Sequence, residues 1–196
     1  MDAEDERRMY RRERRDGAPG LVIRPLAAND AAAFRTLRIT ALRESPDAFT
    51  ASIEEEAALS DDEMAARAVP EAPGVFLGAF AGGELVGMAG YIANARPKTR
   101  HKGVMVAVYV APQWRAEKLG RRLVEAVIGH ARSVGATLLH CTVRADNVPA
   151  RRLYLSLGFV PYGLERDAVL VDGRYVDDEL LALDLRNGRT GDPRSV

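Results

Sequence analysis

The fold turns on Gly103-Val104-Met105-Val106-Ala107-Val108-Tyr109-Val110 and the residues after it, Ala111-Pro112-Gln113-Trp114-Arg115-Ala116-Glu117-Lys118-Leu119-Gly120-Arg121-Arg122-Leu123. The first eight residues are apolar without polar alternation, the pattern of a strand buried on both faces. From Leu119 the spacing becomes helical: Leu119, Leu123, Val127 and Ala131 form one stripe, and Val134 closes it. Gly135 can end that helix in a left-handed cap. Thr137 to Val143 is a second apolar strand. Strand, helix and strand in this order read as one βαβ crossover, which makes the two strands parallel.

Outward from this segment the elements keep alternating. Upstream, Leu21 to Leu26 reads as a short strand, and Asn29 or Asp30 as the cap of a helix with an apolar face of Phe34, Leu37 and Ala41. Pro46 interrupts it. Ser60 and Glu63 form a capping box before a short helix through Val69. Strands over 75–80 and 84–92 flank Gly82-Gly83, a hairpin signal, and Arg96 to Lys102 is a polar loop. Downstream, Asn147 caps a helix that tolerates Pro149 in its first turn. Its inner face is Ala150, Leu153, Tyr154 and Leu157, and Gly158 ends it. Asp172-Gly173 is a two-residue turn, followed by an alternating strand over 179–185. Hairpins around one crossover predict a single α/β domain of mixed α+β character. Its sheet should be mixed and mostly antiparallel, with helices on both faces.

The length of 196 residues suits one domain with its own core. Hydrophobic residues make up 47% and charged residues 29%, an ordinary globular balance. Basic and acidic residues number 28 each, and the zero net charge argues against a protein that coats nucleic acid. Only Lys98, Lys102 and Lys118 are lysines, so an arginine run is weak grounds for a binding site here. The single cysteine, Cys141, excludes an intrachain disulfide and points to a reducing compartment. No apolar run of about 18 residues predicts a membrane span. The charged start is unlike a secretory signal, and the cytoplasm is the expected location. Residues 1–19 read as a flexible charged arm. Between positions 2 and 16 six acidic residues offset six arginines, which favours a solvated arm over a nucleic-acid contact. Residues 20–186 are the folded domain, and residues 187–196 a loose tail.

The turn Arg115 to Arg121 carries the first chemical signal. It follows a buried strand and opens a helix, where backbone N–H groups lack intrahelical partners and face the positive end of the dipole. Such a turn can hold a phosphate, with Arg115, Arg121 and Arg122 adding charge and Ala116 and Gly120 leaving room. It is neither a P-loop nor a dinucleotide fingerprint. His101, His130 and His140 lack metal-ligand spacing, so no metal is expected. Cys141 on its apolar strand reads as a small core hydrophobe.

Val108-Tyr109-Val110-Ala111-Pro112, then Arg115-x-x-x-Leu119-Gly120-Arg121-x-Leu123, resembles the central motif of the GCN5-related N-acetyltransferases (GNAT), usually Arg/Gln-x-x-Gly-x-Gly/Ala. Asn147-x-x-Ala150-x-x-Leu153-Tyr154-x-x-Leu157-Gly158-Phe159 is similar to the family's later helix motif. The pair in this order is more specific than either half. Arg24-Pro25-Leu26 and the Asp172-Gly173 hairpin also fit, so the resemblance runs from about Leu21 to Arg186. Lys118 departs from it, standing where the family usually has glycine. A side chain there can crowd a pyrophosphate.

The resemblance implies acetyl-CoA as co-substrate, its pantetheine arm lying between two splayed parallel strands that end near Val110 and Val143. Main-chain groups of Val108 and Val110 would pair with the pantetheine amides. The N–H groups of Arg115, Ala116, Lys118, Leu119, Gly120 and Arg121 would hold the pyrophosphate. Asn147 would contact the pantetheine or an ordered water. The implied reaction is direct attack of a primary amine on the thioester, with Tyr154 as general acid; helical spacing alone would read Tyr154 as core. The base is left open among Glu54, Glu55, Glu56, His101, His140, Asp177, Asp178 and Glu179, because the strand over 104–110 has no acid. The acidic clusters at 54–56 and 177–179 read either as amine-attracting loops or as solvated surface charge. Relatives often pair, so a homodimer is a further expectation. Two other readings stay open: a non-catalytic acyl-CoA-binding sensor, and a nucleic-acid contact through the arginine arm.

Overall fold

The computed structural model describes residues 20–186. The charged arm and the loose tail expected at 1–19 and 187–196 lie outside the described residues. The chain runs β1 (Val22–Pro25), α1 (Ala31–Glu44), α2 (Ile53–Ala58), α3 (Asp61–Ala68), β2 (Val75–Ala81), β3 (Glu84–Ala93), β4 (Lys102–Val110), α4 (Leu119–Ser133), β5 (Leu138–Arg144), α5 (Val148–Ser156), β6 (Val160–Val171) and β7 (Arg174–Asp184). The strands form one seven-stranded sheet in the order β1-β2-β3-β4-β5-β7-β6. β4 and β5 pair in parallel, and every other neighbouring pair is antiparallel. This is the mixed, mostly antiparallel sheet that the hairpins and the single crossover predict.

Helices cover both faces. On one, α4 packs Leu119, Leu123, Val127 and Ala131 into the sheet, all fully buried, and α5 adds Tyr154. A fully buried Leu or Val side chain contributes about 1.5–3 kcal/mol, so this stripe is a main anchor of the crossover. On the other face α1 and α3 bring Phe34, Leu37, Ala41 and Met64 against Phe76 and Met88. The α4 stripe ends at Ala131. Val134 lies one residue past the helix and is 38% exposed, so it does not close the stripe as its spacing suggested. Gly135 takes φ +80° behind it, the left-handed geometry expected of a C-terminal cap.

Three local readings change. Asp30 precedes α1 but makes no side-chain cap into it. Its carboxylate instead accepts from the Ala27 N–H at 2.8 Å and from the Arg24 guanidinium at 2.6 and 2.9 Å. The segment 53–58, read from sequence as an acidic cluster, is the helix α2 with its own capping box: Glu55 N–H donates to Ser52 Oγ at 3.1 Å, and Ser52 N–H donates to Glu55 Oε2 at 2.7 Å. The last hairpin is longer than the turn signal suggested, because β6 is already extended from Val160 and β7 is continuous from Arg174. Asp172 and Gly173 both have positive φ at its tip, as a tight two-residue turn requires.

Two irregularities create the functional space. β4 and β5 pair only at Lys102↔Leu138, Gly103↔Leu139 and Val104↔His140. Beyond that, β5 stays with β7 out to Arg144 while β4 stays with β3, so a gap opens between them. In the β3–β4 ladder the register moves from Gly90↔Val106 to Met88↔Tyr109, two residues of β4 facing one of β3, with Ala107 at φ +53°. That is a β-bulge, which bends its strand and re-aims its side chains.

Candidate active site

The gap between β4 and β5 opens into a cavity of about 480 Å³. Val104 to Val108 form one wall and Cys141 to Arg144 the other. Asn147, Ala150 and Tyr154 of the α5 segment close one side, and the 47–51 loop, Arg38 and Arg67 close the other. A concave, largely apolar cavity with a few converging polar groups is the usual form of a small-molecule site.

Tyr154, on α5, is buried in the core and lines this cavity. Its ring packs on Phe159, with centroids 5.7 Å apart. Burial, and secondarily the neighbouring Cys141, pushes its hydroxyl above the ordinary tyrosine range, so the group keeps its proton at neutral pH. Cys141 is itself pushed up to about 12 by burial, which leaves an inert thiol, as its apolar strand suggested. Asn147 caps α5, its Oδ1 accepting from the Ala150 N–H at 3.1 Å, and it also lines the cavity. Val108 lines the β4 wall, and Val110 ends that strand.

The turn after β4 has more structure than the sequence suggested. Pro112 to Glu117, with Arg115 and Ala116, is a short 3₁₀ helix, and α4 starts only at Leu119. Lys118 joins the two at φ +54°, ψ +22°. A left-handed residue costs an ordinary side chain about 1–2 kcal/mol and glycine almost nothing, a backbone reason for glycine at this place. The N–H groups of Leu119, Gly120 and Arg121 open α4 and precede its first ladder bonds. The arginine side chains, however, are engaged elsewhere. Arg115 donates through Nε to the Val110 carbonyl at 2.9 Å and through Nη2 to Glu44 at 3.3 Å. Glu44 also accepts from the Tyr109 hydroxyl at 2.6 Å. Arg121 donates to Glu125 at 3.2 Å and to Ser156 at 2.6 Å. Leu119 points into the core, and a Cβ on Gly120 would sit 3.7 Å from Leu153, in ordinary contact. What this turn offers an anion is therefore main chain more than guanidinium.

The structure also sorts the candidate bases. Glu55 is used in a cap. Glu56 is fully buried, its Oε1 shared by Arg38 and by Arg67 at 3.1 Å. It is neither a solvated surface acid nor free to take a proton from an amine. Glu179 is tied to Arg151 at 2.7 and 3.1 Å. Asp177 accepts from the Asp167 N–H at 3.0 Å. His140 pairs through Nδ1 with the Tyr162 hydroxyl at 3.2 Å, outside the residues that line the cavity. His101 is exposed in the turn before β4 and lines nothing there. Asp178 is the listener at the cavity: of these acids it alone lines it. Burial raises its carboxyl above the usual range, with Glu165 and Asp177 adding to the rise and Arg144 opposing it. Among the described residues no cluster of three or more His, Cys, Asp or Glu side chains could hold a metal ion, and no helix is long and apolar enough to cross a membrane.

Comparison with known proteins agrees with this geometry. The model of the acetyltransferase (GNAT) family matches residues 38–159. N-alpha-acetyltransferase RimI of Mycobacterium tuberculosis is 35% identical over 98 residues, which cover 50% of this chain and 60% of RimI. Mycothiol acetyltransferase of Nocardiopsis dassonvillei is 44% identical over 57 residues, which cover 29% of this chain and 17% of that protein. The chain thus matches only part of the length of either relative. The structure of yncA from Salmonella typhimurium with its cofactor acetyl-CoA has a TM-score of 0.76 and 22% identity, covering 89% of this chain and 99% of that one. At that identity the likeness shows a shared fold.

Proposed function

Because the chain belongs to the acetyltransferase (GNAT) family, we propose that it transfers an acetyl group from acetyl-CoA to a primary amine by direct attack. One observation carries this reading: a proton-bearing Tyr154 and the carboxyl of Asp178 line the same cavity, in the gap between parallel strands. The pantetheine arm fits that gap, where β4 around Val108 and Val110 is no longer paired with β5. The N–H groups that open α4, from Leu119 to Arg121, suit its pyrophosphate, with Arg115, Ala116 and Lys118 forming the turn that leads into them. Asn147 sits beside the arm at the start of α5.

An alkyl amine has a pKa of about 10.4 and must lose a proton before it can attack. Asp178 takes that proton, directly or through one water. The amine nitrogen then bonds to the thioester carbon, and a backbone N–H near Val110 stabilises the charge on the carbonyl oxygen. As the carbon–sulfur bond breaks, Tyr154 protonates the leaving thiolate, and its phenolate takes up, directly or through one water, the second proton that the new amide nitrogen sheds. The single buried cysteine suits a reducing compartment, and we assign the protein to the cytoplasm.

The test is acetyl-CoA-dependent release of free thiol with a panel of primary amines, run beside calorimetric binding of coenzyme A. Release that depends on the amine supports the transferase. Binding without release from any amine would replace it with a non-catalytic acyl-CoA sensor, the reading supported by Lys118 in place of the motif glycine and by the absence of an acid on the strand over 104–110.

A further inference from the structure

The charged side chains that line the cavity are Arg38, Asp47, Arg67, Arg144 and Asp178. Their partners divide them unevenly. Arg144 is matched within the cavity by Asp47 at 3.0 Å, and outside its lining by the exposed Asp146 at 3.2 Å. Arg38 and Arg67 share one carboxylate oxygen, Glu56 Oε1. Two guanidiniums against one carboxylate leave one positive charge uncompensated on that wall. Arg38 is buried with Glu56, whereas Arg67 is 40% exposed and can offer its remaining N–H groups to the cavity. On the other wall Asp178 makes no ion pair among the described residues; Arg144, the cation that acts on it, is already held by Asp47 and Asp146, which leaves the negative charge of Asp178 only partly answered. Apolar Phe49, Phe76, Val106 and Val169 line the space as well.

An apolar cavity with one spare cation and one spare anion selects a guest with the opposite pair. We infer that the acceptor is a small zwitterion, an amino acid whose amine is read by Asp178 and whose anionic group is read by Arg67. This rests on the transferase reading for the role of Asp178 and names the acceptor class of that site. A planar guanidinium suits a carboxylate because its donors match the two oxygens. A protein N-terminus carries an amide in place of that carboxylate. It would leave the Arg67 charge unanswered in a partly desolvated site, and it is disfavoured for that reason.

The experiment is calorimetric titration of the full chain, saturated with free coenzyme A, using leucine, leucinamide and isoamylamine. These share an amine and a side chain and differ in the carboxylate. Leucine should bind at least about tenfold more tightly than the other two, the effect of one charge-assisted hydrogen bond. Arg67→Gln should bring the ratio close to one, and Arg67→Lys should restore part of it. Equal binding of all three, no binding of leucine, or an unchanged ratio in Arg67→Gln would overturn the inference. Thiol release from acetyl-CoA with the same amines reads the chemistry separately. If leucine binds selectively and no thiol appears, the transferase reading falls and the zwitterion site stands.

Discussion

Tyr154 and Asp178 face one cavity with their protons held in opposite readiness. Tyr154 is buried in the core and its hydroxyl is shifted upwards, so in the proposed reaction it would enter as a donor. Tyr154→Phe keeps the ring and its packing on Phe159 and removes only the acid. Turnover should fall about 100-fold with the thermal midpoint unchanged, the scale of general-acid catalysis; a change within twofold in steady-state rate would remove Tyr154 from the mechanism. Asp178 must be ionised to accept a proton, and its shift is upwards. The acidic limb of kcat/KM should therefore lie above the ordinary aspartate value of about 3.9 and rise with pH. Asp178→Asn should abolish that limb and slow turnover about 100-fold. Stability should move the other way. The folded state holds this proton more tightly than the unfolded one, so the stability contribution of Asp178 is fullest below the unfolded value and declines as pH rises through the folded one. Asp178→Asn should thus be slightly more stable than the parent at neutral pH, and a lower thermal midpoint there would contradict the assigned shift. Tyr154 was legible because its helix motif fixes it locally. Asp178 was visible only as one of eight acids and histidines, since no local pattern says which strand residue of β7 will reach a gap between β4 and β5.

At the level of elements, periodicity found what short-range chemistry controls. The α4 stripe, the α5 cap at Asn147 and the Gly82-Gly83 and Asp172-Gly173 turns all follow from residues within one or two turns of each other. α2 escaped. It spans six residues, too few to show an amphipathic period, and its three consecutive glutamates look like solvated charge. Its capping box, Ser52 with Glu55, was nevertheless present in the sequence and would have marked the start. What no local signal could give is the fate of Glu56. Its partner Arg38 lies on α1, 18 residues away, and the fold buries the pair. Glu56→Ala removes the carboxylate that alone pairs with Arg38 among the described residues and leaves a guanidinium buried without that counter-charge. Breaking a buried pair in this way costs about 3–5 kcal/mol. Urea unfolding should show a loss of that order, and a loss under about 1 kcal/mol would mean that Arg38 finds another partner.

Across the whole molecule, two half-sheets meet at three residue pairs, Lys102 to Val104 with Leu138 to His140. Everything that makes the site possible depends on pairing there and parting immediately beyond. The crossover was readable from sequence, whereas the point of parting was not, because no local pattern marks where the β4–β5 ladder ends; the Ala107 bulge lies three residues beyond its last β4 partner, Val104. Gly103 sits at the middle of the junction. A Cβ on it would overlap the ring of Tyr91, which is almost fully buried on β3. Tyr91 cannot swing aside freely, because its other neighbour is His130 of α4 at 5.5 Å between ring centroids, and His130 is itself bonded to the Pro73 carbonyl at 2.8 Å. Gly103→Ala should therefore cost about 1–3 kcal/mol, the range for overpacking a filled core. It should also weaken coenzyme A binding, since the strain falls where the strands must close before they open. Gly129→Ala is the control. Position 129 is inside α4, and a Cβ there meets nothing within 4 Å, so alanine should stabilise the helix by about 0.5–1 kcal/mol through its propensity alone. Measured together by urea unfolding and by coenzyme A titration, the two substitutions should move stability in opposite directions, and only Gly103→Ala should reduce affinity. Equal affinity in both would show that the site tolerates a shift of the junction, and that the width of the gap is set by the bulge instead.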